Sequence, residues 1–131
     1  MPSAVVEIRT TYPPEIETQM LELVHQAIVR AFKVNPLHRN VTLVAHQPHR
    51  FLGRLDCPDS DKLTNVTIYL LPGRSLTAKR HLYQLLIRGL WKFGIPAPCI
   101  LIRLHELPPE NFGVRGGQPI CDIDLGYPLN V

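Results

Sequence analysis

The chain has 131 residues, of which 45% are hydrophobic and 19% are charged, and its formal net charge is +3 at pH 7. This length and composition are typical of one globular domain that is large enough to bury a core. No apolar run reaches the length of a membrane span, and the scattered basic residues argue against nucleic acid while suiting a small anionic substrate.

The chain begins with Met1 and Pro2, and a strand pattern from Ala4 to Arg9 follows directly. Initiator methionine is normally removed when the next side chain is small, so Pro2 is a candidate amino terminus. A terminal amine titrates near 7.7–8.0, and its neutral form can accept a proton or attack a carbonyl. Met-Pro is also a common beginning without any role, and these two residues alone do not separate the two interpretations.

The segment after this strand has the spacing of an amphipathic helix with one buried face. Its apolar positions are Ile16, Met20, Leu23, Val24, Ala27 and Ala31. The run Pro13-Pro14-Glu15 fits the start of that helix, because proline is tolerated in a first turn and an acid suits the positive end of the helix dipole. Val41-Thr42-Leu43-Val44 predicts the next strand.

A second unit of the same kind begins with a strand from Asn65 to Leu70. The apolar positions of its helix are Leu82, Leu85, Leu86, Gly89, Leu90 and Phe93. Ser75 is a candidate N-cap for that helix, and Gly94 followed by Pro96 is a stop signal. The last strand of the unit covers Ile100 to Glu106.

The two units align when Phe32 is placed on Phe93, so each half is a strand, a helix and a strand. Connections of this length suit right-handed crossovers between parallel strands. The prediction is an α+β fold, β-α-β-β-α-β, with a four-stranded sheet and both helices on one face. It forms one domain over residues 1–131, with repeats at about 2–46 and 63–107 and an extension at 108–131.

The other face of this sheet is predicted to be bare, although strands such as Ala4–Arg9 carry apolar residues on both sides. A bare apolar face usually marks an interface, and closed homo-oligomers are the usual solution. We therefore expect the chain to assemble with its sheets facing inward.

Two stretches outside the repeats are rich in turn residues. Residues 47–63 form a long connection marked by Pro and Asp, long enough to have a function of its own. In the tail, Gly116-Gly117 predicts a hairpin turn in preference to a phosphate-binding loop, because no helix follows it.

The histidines and cysteines do not predict a metal site. His46 and His49 lie in a predicted loop without a Cys or carboxylate at ligand spacing, so ordinary solvated histidines are expected there. Cys57, Cys99 and Cys121 are an odd number and widely spaced. Such a pattern favours three ordinary thiols and a cytoplasmic protein.

Several segments together resemble a known enzyme family. A strand directly after Pro2, the duplicated β-α-β unit and Arg74 just after the third strand are similar to the 4-oxalocrotonate tautomerase (4-OT) superfamily. Within that superfamily, the chain resembles the malonate semialdehyde decarboxylase-like group in three short sequences, Ala31–Val34, Leu71–Ser75 and Pro109–Pro119.

The resemblance implies a homotrimer, with the terminal proline in a pocket at a subunit boundary. Pro2 would be the general base of a tautomerase that moves a proton between carbon and oxygen of a 2-oxo acid or its enol. Arg74 would hold the substrate carboxylate through two parallel hydrogen bonds. No metal or other cofactor is implied, because arginine and backbone donors can meet the enolate charge.

The chain departs from the decarboxylase group at two positions. Pro72 stands where that group has a second arginine, and His38 stands where it has a water-activating aspartate. These changes argue against decarboxylase chemistry of that type. Arg39 keeps the basic position that follows and is a candidate second clamp, while His38 is a candidate proton relay. The further candidates for substrate contact are Arg115, Tyr69 and Phe112.

Two alternatives to a tautomerase stay open. A protonated Pro2 could act as the acid in hydration or decarboxylation of a β-keto or β-halo acid. The chain could also be a trimeric binding module that keeps the fold without the chemistry. Retention of Met1 would favour the module, because Pro2 would then be an acylated, non-basic nitrogen.

Overall fold

The structure is a computed structural model that describes residues 2–131; Met1, and with it the predicted removal of this residue, lies outside the described residues. Short 3₁₀ turns occupy several connections. The main elements of the described chain are β1 (Ser3–Ile8), α1 (Pro14–Phe32), β2 (Val41–Ala45), β3 (Thr64–Leu70), α2 (Leu76–Trp91), β4 (Ile100–Glu106), β5 (Gly113–Val114) and β6 (Gln118–Pro119).

The four long strands form one sheet in the order β2-β1-β3-β4. Within each half the strands are parallel, β1 with β2 and β3 with β4, and the halves meet through antiparallel pairing of β1 with β3. The α+β fold with two β-α-β units is therefore confirmed. The predicted hairpin at Gly116-Gly117 is also present, since it connects β5 to β6.

The helix ends follow from local sequence. Pro14 opens α1, and Lys33 closes it in the left-handed conformation with φ of 58°. The hydroxyl of Ser75 accepts a hydrogen bond of 3.1 Å from the backbone N–H of Ala78, as expected of an N-cap. Gly94, with φ of +79°, turns the chain after α2. Across residues 2–131, no helix combines the length and apolarity needed to cross a membrane.

The core lies between the sheet and the two helices, which pack against each other. Alternation along β1 directs Ala4, Val6 and Ile8 to the helices, and each of these side chains is buried. Burial of a large aliphatic or aromatic side chain contributes about 1.5–3 kcal/mol. The largest contributors include Phe32, Met20, Ile68, Leu82, Leu86 and Leu90.

The open face of the sheet is more polar than expected. Glu7 lies 2.8 Å from His46 Nε2 and 3.6 Å from Arg103 Nη2, and the Nε of Arg103 donates to the hydroxyl of Thr67. The apolar members of this face are Val5, Val44, Tyr69 and Leu101. The expectation of a bare apolar face is therefore only partly right, because charged and polar side chains alternate with the apolar ones.

The expectation of three ordinary thiols is wrong, because Cys57 and Cys99 form a disulfide. The connection that contains Cys57 folds back onto the beginning of β4, where the Nη2 of Arg54 donates to the carbonyl of Cys99 at 2.5 Å. This return brings two cysteines that are 42 positions apart to a Cα–Cα distance of 4.6 Å, which a disulfide spans. Only tertiary contact pairs them, since their spacing resembles no motif. Cys121 is exposed and free.

Reduction of the disulfide should lower the free energy of unfolding by about 2–4 kcal/mol, because the bridge limits the freedom of a long loop in the unfolded chain. Urea unfolding with and without dithiothreitol measures the change. A Cys57→Ala, Cys99→Ala double variant should not respond to the reductant, whereas Cys121→Ser should respond as the wild type does. Titration of three free thiols in the untreated, denatured protein would contradict the pairing.

Candidate active site

Pro2 is buried directly before β1, at a cavity of about 210 Å³. The position follows from strand pairing, since the N–H of Ala4 donates to the carbonyl of Asn40 at 2.9 Å and holds the start of β1 beside the segment that leads into β2. The cavity is lined by Pro2, Ser3, His38, Arg39, Asn40, Phe112, Gly113 and Val114. Four of the candidate site residues, Pro2, His38, Arg39 and Phe112, thus meet at one place.

The tail supplies the far wall of this cavity. Phe112, Gly113 and Val114 belong to the stretch that enters the β5–β6 hairpin. The carbonyl of Phe112 accepts a hydrogen bond of 3.0 Å from the N–H of Ile120, and the Ile120 side chain is buried. The hairpin is therefore anchored, and it gives Phe112 a fixed position against the cavity.

His38 stands at the cavity with its ring partly covered. Its Nδ1 is buried without a hydrogen-bond partner among the described residues, and its ring lies edge-on to Tyr127, with ring centroids 5.6 Å apart. Burial lowers the pKa of His38, and the positive charges of the chain's amino terminus and of Arg115 lower it further. The imidazole is therefore neutral near pH 7, so it can accept a hydrogen bond at one nitrogen and donate one at the other.

Arg39 is the arginine that lines the cavity. It is exposed, and its Nη2 lies 2.8 Å from Glu22 Oε2. This ion pair is at the surface, where such pairs contribute little to stability. The guanidinium has further N–H groups and can turn toward an anion in the cavity.

Arg74 is buried and does not line the Pro2 cavity. Its side chain is held from two sides, because its Nη1 donates to the carbonyl of Leu71 at 3.0 Å and its Cζ lies 5.1 Å from the ring centroid of Phe32. Among the described residues, its Nε and Nη2 have no hydrogen-bond partner. Burial lowers the pKa of Arg74, while Tyr127 and Glu106 raise it in part; an arginine so placed stays charged at neutral pH.

The other two candidates lie outside the cavity. Tyr69 belongs to the open face of the sheet, where its ring stacks on His105 at a centroid distance of 5.2 Å, and its register partner on β1 is Ser3. Arg115 is exposed in the hairpin turn with φ of 48°, and its charge reaches His38. The single chain therefore pairs Tyr69 with Ser3, next to Pro2, but leaves it out of the cavity lining, and Arg115 acts on His38 through its charge.

Sequence reasoning missed Tyr127. This residue contacts His38, interacts electrostatically with Arg74, and thus connects the Pro2 cavity to the buried guanidinium. It stands in Gly126-Tyr127-Pro128, within a tail that has no helical or strand periodicity. An aromatic residue beside a Gly and a Pro was the one signal available, and it does not indicate a partner.

The site combines the buried Pro2 with nearby cations and a neutral imidazole. Such surroundings favour an anionic ligand and disfavour a second positive charge on an amine. Among residues 2–131, no group of three or more His, Cys, Asp or Glu side chains is arranged to hold a metal ion. The arrangement is suited to proton transfer on a small carboxylic acid.

A family model matches the chain at residues 38–115, and that family is described as tautomerase enzyme. The match covers the end of the first β-α-β unit, the second unit and the tail up to Arg115. No curated protein matches the chain.

Solved structures with the same fold include two malonate semialdehyde decarboxylases. One has a TM-score of 0.78 and 23% identity, covering 87% of this chain and 92% of that chain. The other, named FG41 and inhibited by 3-bromopropiolate, has a TM-score of 0.81 and 18% identity, covering 89% and 92%. A fused 4-OT solved as a symmetric trimer has a TM-score of 0.80 and 18% identity, covering 90% and 95%. At these identities the likeness shows the fold.

His38 is expected to titrate below its ordinary pKa of 6.5. The Arg115→Gln variant should raise this pKa, because it removes one of the positive charges that disfavour imidazolium. Nitrogen-15 NMR of the imidazole across the acidic and neutral range measures both, with Arg80→Gln on the exposed side of α2 as the matched control.

The same titration has a consequence for stability. Because the folded pKa of His38 lies below the unfolded one, its contribution to stability is present above the unfolded pKa and is lost as pH falls through the folded value. A His38 pKa at or above 6.5, or one equally insensitive to both arginine substitutions, would contradict the described surroundings.

Proposed function

The chain belongs to the tautomerase enzyme family, and we propose that it is a cofactor-free keto–enol tautomerase that uses Pro2 as general base on small 2-oxo acids or their enols. The observation that carries this proposal is the burial of Pro2 at a cavity of about 210 Å³ among His38, Arg39 and Phe112. A cavity of this size suits a small organic acid.

The chemistry requires that Met1 be removed, which makes Pro2 a secondary amine. The neutral amine takes the hydroxyl proton of an enol, and the resulting ammonium returns a proton to the carbon of the former double bond. The reverse order converts the keto acid to its enol. Protons balance in both directions, and no oxidant, reductant or cofactor takes part.

Cations near the cavity favour the neutral, basic form of the Pro2 amine. Arg39 lines the cavity and the charge of Arg115 reaches it, so protonation of a nearby amine is disfavoured. The same charges stabilise the negative charge that develops on the substrate oxygen as the proton leaves. His38, held neutral, can donate one hydrogen bond to that oxygen.

Two arginines are candidates for the substrate carboxylate. Arg39 is at the cavity but already pairs with Glu22, whereas Arg74 is buried with two N–H groups unpartnered in the described structure. A guanidinium edge with two parallel N–H groups matches a carboxylate in geometry and charge. We propose Arg74 as the principal anchor and Arg39 as the second clamp.

The solved relatives support a role for the terminal proline. One malonate semialdehyde decarboxylase was solved as the wild type, in an inactivated form, and with the proline that begins its chain replaced by alanine, as a basis for decarboxylase and hydratase activities. In the present chain Pro2 directly precedes the first strand, β1. This likeness supports the proposal through the fold.

The decarboxylase or hydratase alternative uses protonated Pro2 as an acid. It is less well supported, because His38 and Pro72 stand where the resemblance would require an aspartate and an arginine. The same cations that keep an amine neutral also oppose the protonated form. A binding module without chemistry is the remaining alternative, and it requires that Pro2 be dispensable.

Pro2→Ala should lower kcat/KM for ketonisation of phenylenolpyruvate by roughly 10²–10⁴-fold, because general base catalysis contributes that much. Arg74→Met should mainly raise KM, since it removes the carboxylate partner. Pro13→Ala, at the exposed start of α1, is the matched control and should leave the rate unchanged. Intact mass spectrometry of each protein must show the loss of one methionine.

Equal rates for wild type and Pro2→Ala would support the binding module and contradict the tautomerase. The pH profile separates the two catalytic branches. A rate that rises through one ionisation as pH increases indicates a neutral Pro2 base, whereas a rate lost over that range indicates the acid branch.

We further propose a homotrimer with the open sheet faces inward. The fused 4-OT structures with this fold include symmetric and asymmetric trimers. In this chain the open face carries the partly exposed Val44 and Leu101 beside the Glu7–Arg103 ion pair, a mixture that resembles protein interfaces. The cytoplasmic location stays a prediction. It is inferred from three unpaired cysteines, and two of these form a disulfide.

Sedimentation equilibrium should give a mass three times the 14.9 kDa of one chain. Glu7→Arg should weaken the assembly, because the new arginine would replace the ion pair with Arg103 by a repulsion between two positive charges at the interface. Glu110→Arg, in the exposed tail, is the control with the same charge change. A monomeric wild type at micromolar concentration would rule out the proposed trimer.

A further inference from the structure

The edge of Arg74 that remains unpartnered is the one that binds carboxylates. Its Nη1 is used by the carbonyl of Leu71, which fixes the plane of the guanidinium. The two unpartnered atoms, Nε and Nη2, carry parallel N–H groups along one edge of the guanidinium, within its plane. Side-on pairs of this kind hold a carboxylate by two charge-assisted hydrogen bonds.

The free edge is costly, because the side chain of Arg74 is only 6% exposed. A buried charge without a paired anion loses its hydration free energy, and no other interaction offsets that loss. Glu106 is near enough to raise the pKa of Arg74, but its carboxylate is engaged by Lys79 Nζ at 3.1 Å. The site is therefore arranged for an anion that the protein itself does not supply.

Tyr127 interacts with both His38 at the Pro2 cavity and the guanidinium of Arg74. Its ring lies against His38, which lines the cavity, while its phenol interacts with the guanidinium of Arg74. It is also partly buried against the core. Tyr127 is therefore the residue that the structure relates to both places.

The segment that carries Tyr127 is held by few main-chain bonds. From Ile123 onward the tail has no helix or strand, and the Ser75 N–H donates to the carbonyl of Val131 at 2.8 Å. Gly73, with φ of +127°, lets the tail lie against the loop before Arg74, since a Cβ there would stand 3.2 Å from Asn130 Oδ1. A segment with these attachments can move without disturbing the sheet or the helices.

We propose that Tyr127 is a gate for the substrate carboxylate: it covers the side-on edge of Arg74 in the free protein, and a 2-oxo acid in the Pro2 cavity displaces it to bind that edge. The inference rests on the proposed function and names the residue that admits its substrate. The carboxylate supplies the charged hydrogen-bond partner that Nε and Nη2 lack among the described residues of the free protein, and this gain drives the opening.

The gate reduces apparent affinity in proportion to the fraction of molecules in which it is open. Removal of the Tyr127 side chain should therefore lower KM for phenylenolpyruvate by about threefold to tenfold without raising kcat. A residue that merely supported the fold would have the opposite effect, since loosening the site would raise KM.

The direct test is an NMR titration of the wild type with phenylpyruvate, a 2-oxo acid. The Nε–Hε signal of Arg74, assigned by its absence in Arg74→Met, should move downfield as the carboxylate binds. The nuclear Overhauser effects between the Tyr127 and His38 rings should weaken in the same titration. Saturation without either change, or no binding at all, overturns the gate.

A double-mutant cycle supplies the second test. Tyr127→Ala should lower KM in the wild-type background and have no effect on KM in the Arg74→Met background, because the gate acts only through Arg74. Tyr83→Phe, a half-buried tyrosine on α2 outside the site, is the matched control and should leave KM unchanged. Equal effects of Tyr127→Ala in both backgrounds would overturn the proposal.

The two failures are distinguishable. If the Arg74 signal responds to phenylpyruvate but no ketonisation is measured, the carboxylate gate stands and the proposed catalysis by Pro2 fails. If ketonisation depends on Pro2 while the Arg74 signal is unaffected by phenylpyruvate, the catalysis stands and the gate is wrong.

Discussion

The pairing of β1 on both of its edges is the constraint on which the site depends. Because β1 lies between β2 and β3, its first residues are fixed from two sides, and the residue before them is carried into the protein. An amino-terminal residue is ordinarily mobile and solvated. Here Pro2 is buried at a cavity instead, so the same strand that organises the sheet also places the candidate catalytic group.

Positive charge around that group is distributed unequally. Arg39 is exposed and paired with Glu22, Arg115 acts from the hairpin turn, and Arg74 is buried with its Nε and Nη2 unpartnered in the described structure. A buried and partly unsatisfied cation lowers stability, and proteins retain such groups where a ligand completes them. Tyr127 contacts His38 at the cavity and also interacts with Arg74. In the proposed gate, the same residue therefore controls whether a ligand in the cavity can reach the buried guanidinium.

Two sets of contacts lie outside the duplicated β-α-β pattern, one in the connection between the halves and one on the open sheet face. The Cys57–Cys99 disulfide and Arg54 hold the connection to the beginning of β4. On the open face, Glu7 of β1 contacts His46, which follows the adjacent β2, and Arg103 of β4, one strand beyond β3. The Glu7–Arg103 ion pair joins the two halves of the chain, whereas the disulfide ties the connection to the second half.

The sequence alone determined the elements, because periodicity, caps and glycine stops are local. The stripe from Ile16 to Ala31, the Ser75 cap and the alternation in β1 require only neighbours in the chain, and the structure has these elements where the pattern predicts them. It also indicated Pro2, His38, Arg39 and Phe112, which meet at one cavity. Only the tertiary structure decided that Cys57 pairs with Cys99, that Tyr69 turns to the open face, and that Tyr127 lies beside His38 and interacts with Arg74. Those contacts join segments far apart in the chain, and no local pattern of residues encodes which distant partner a side chain will meet.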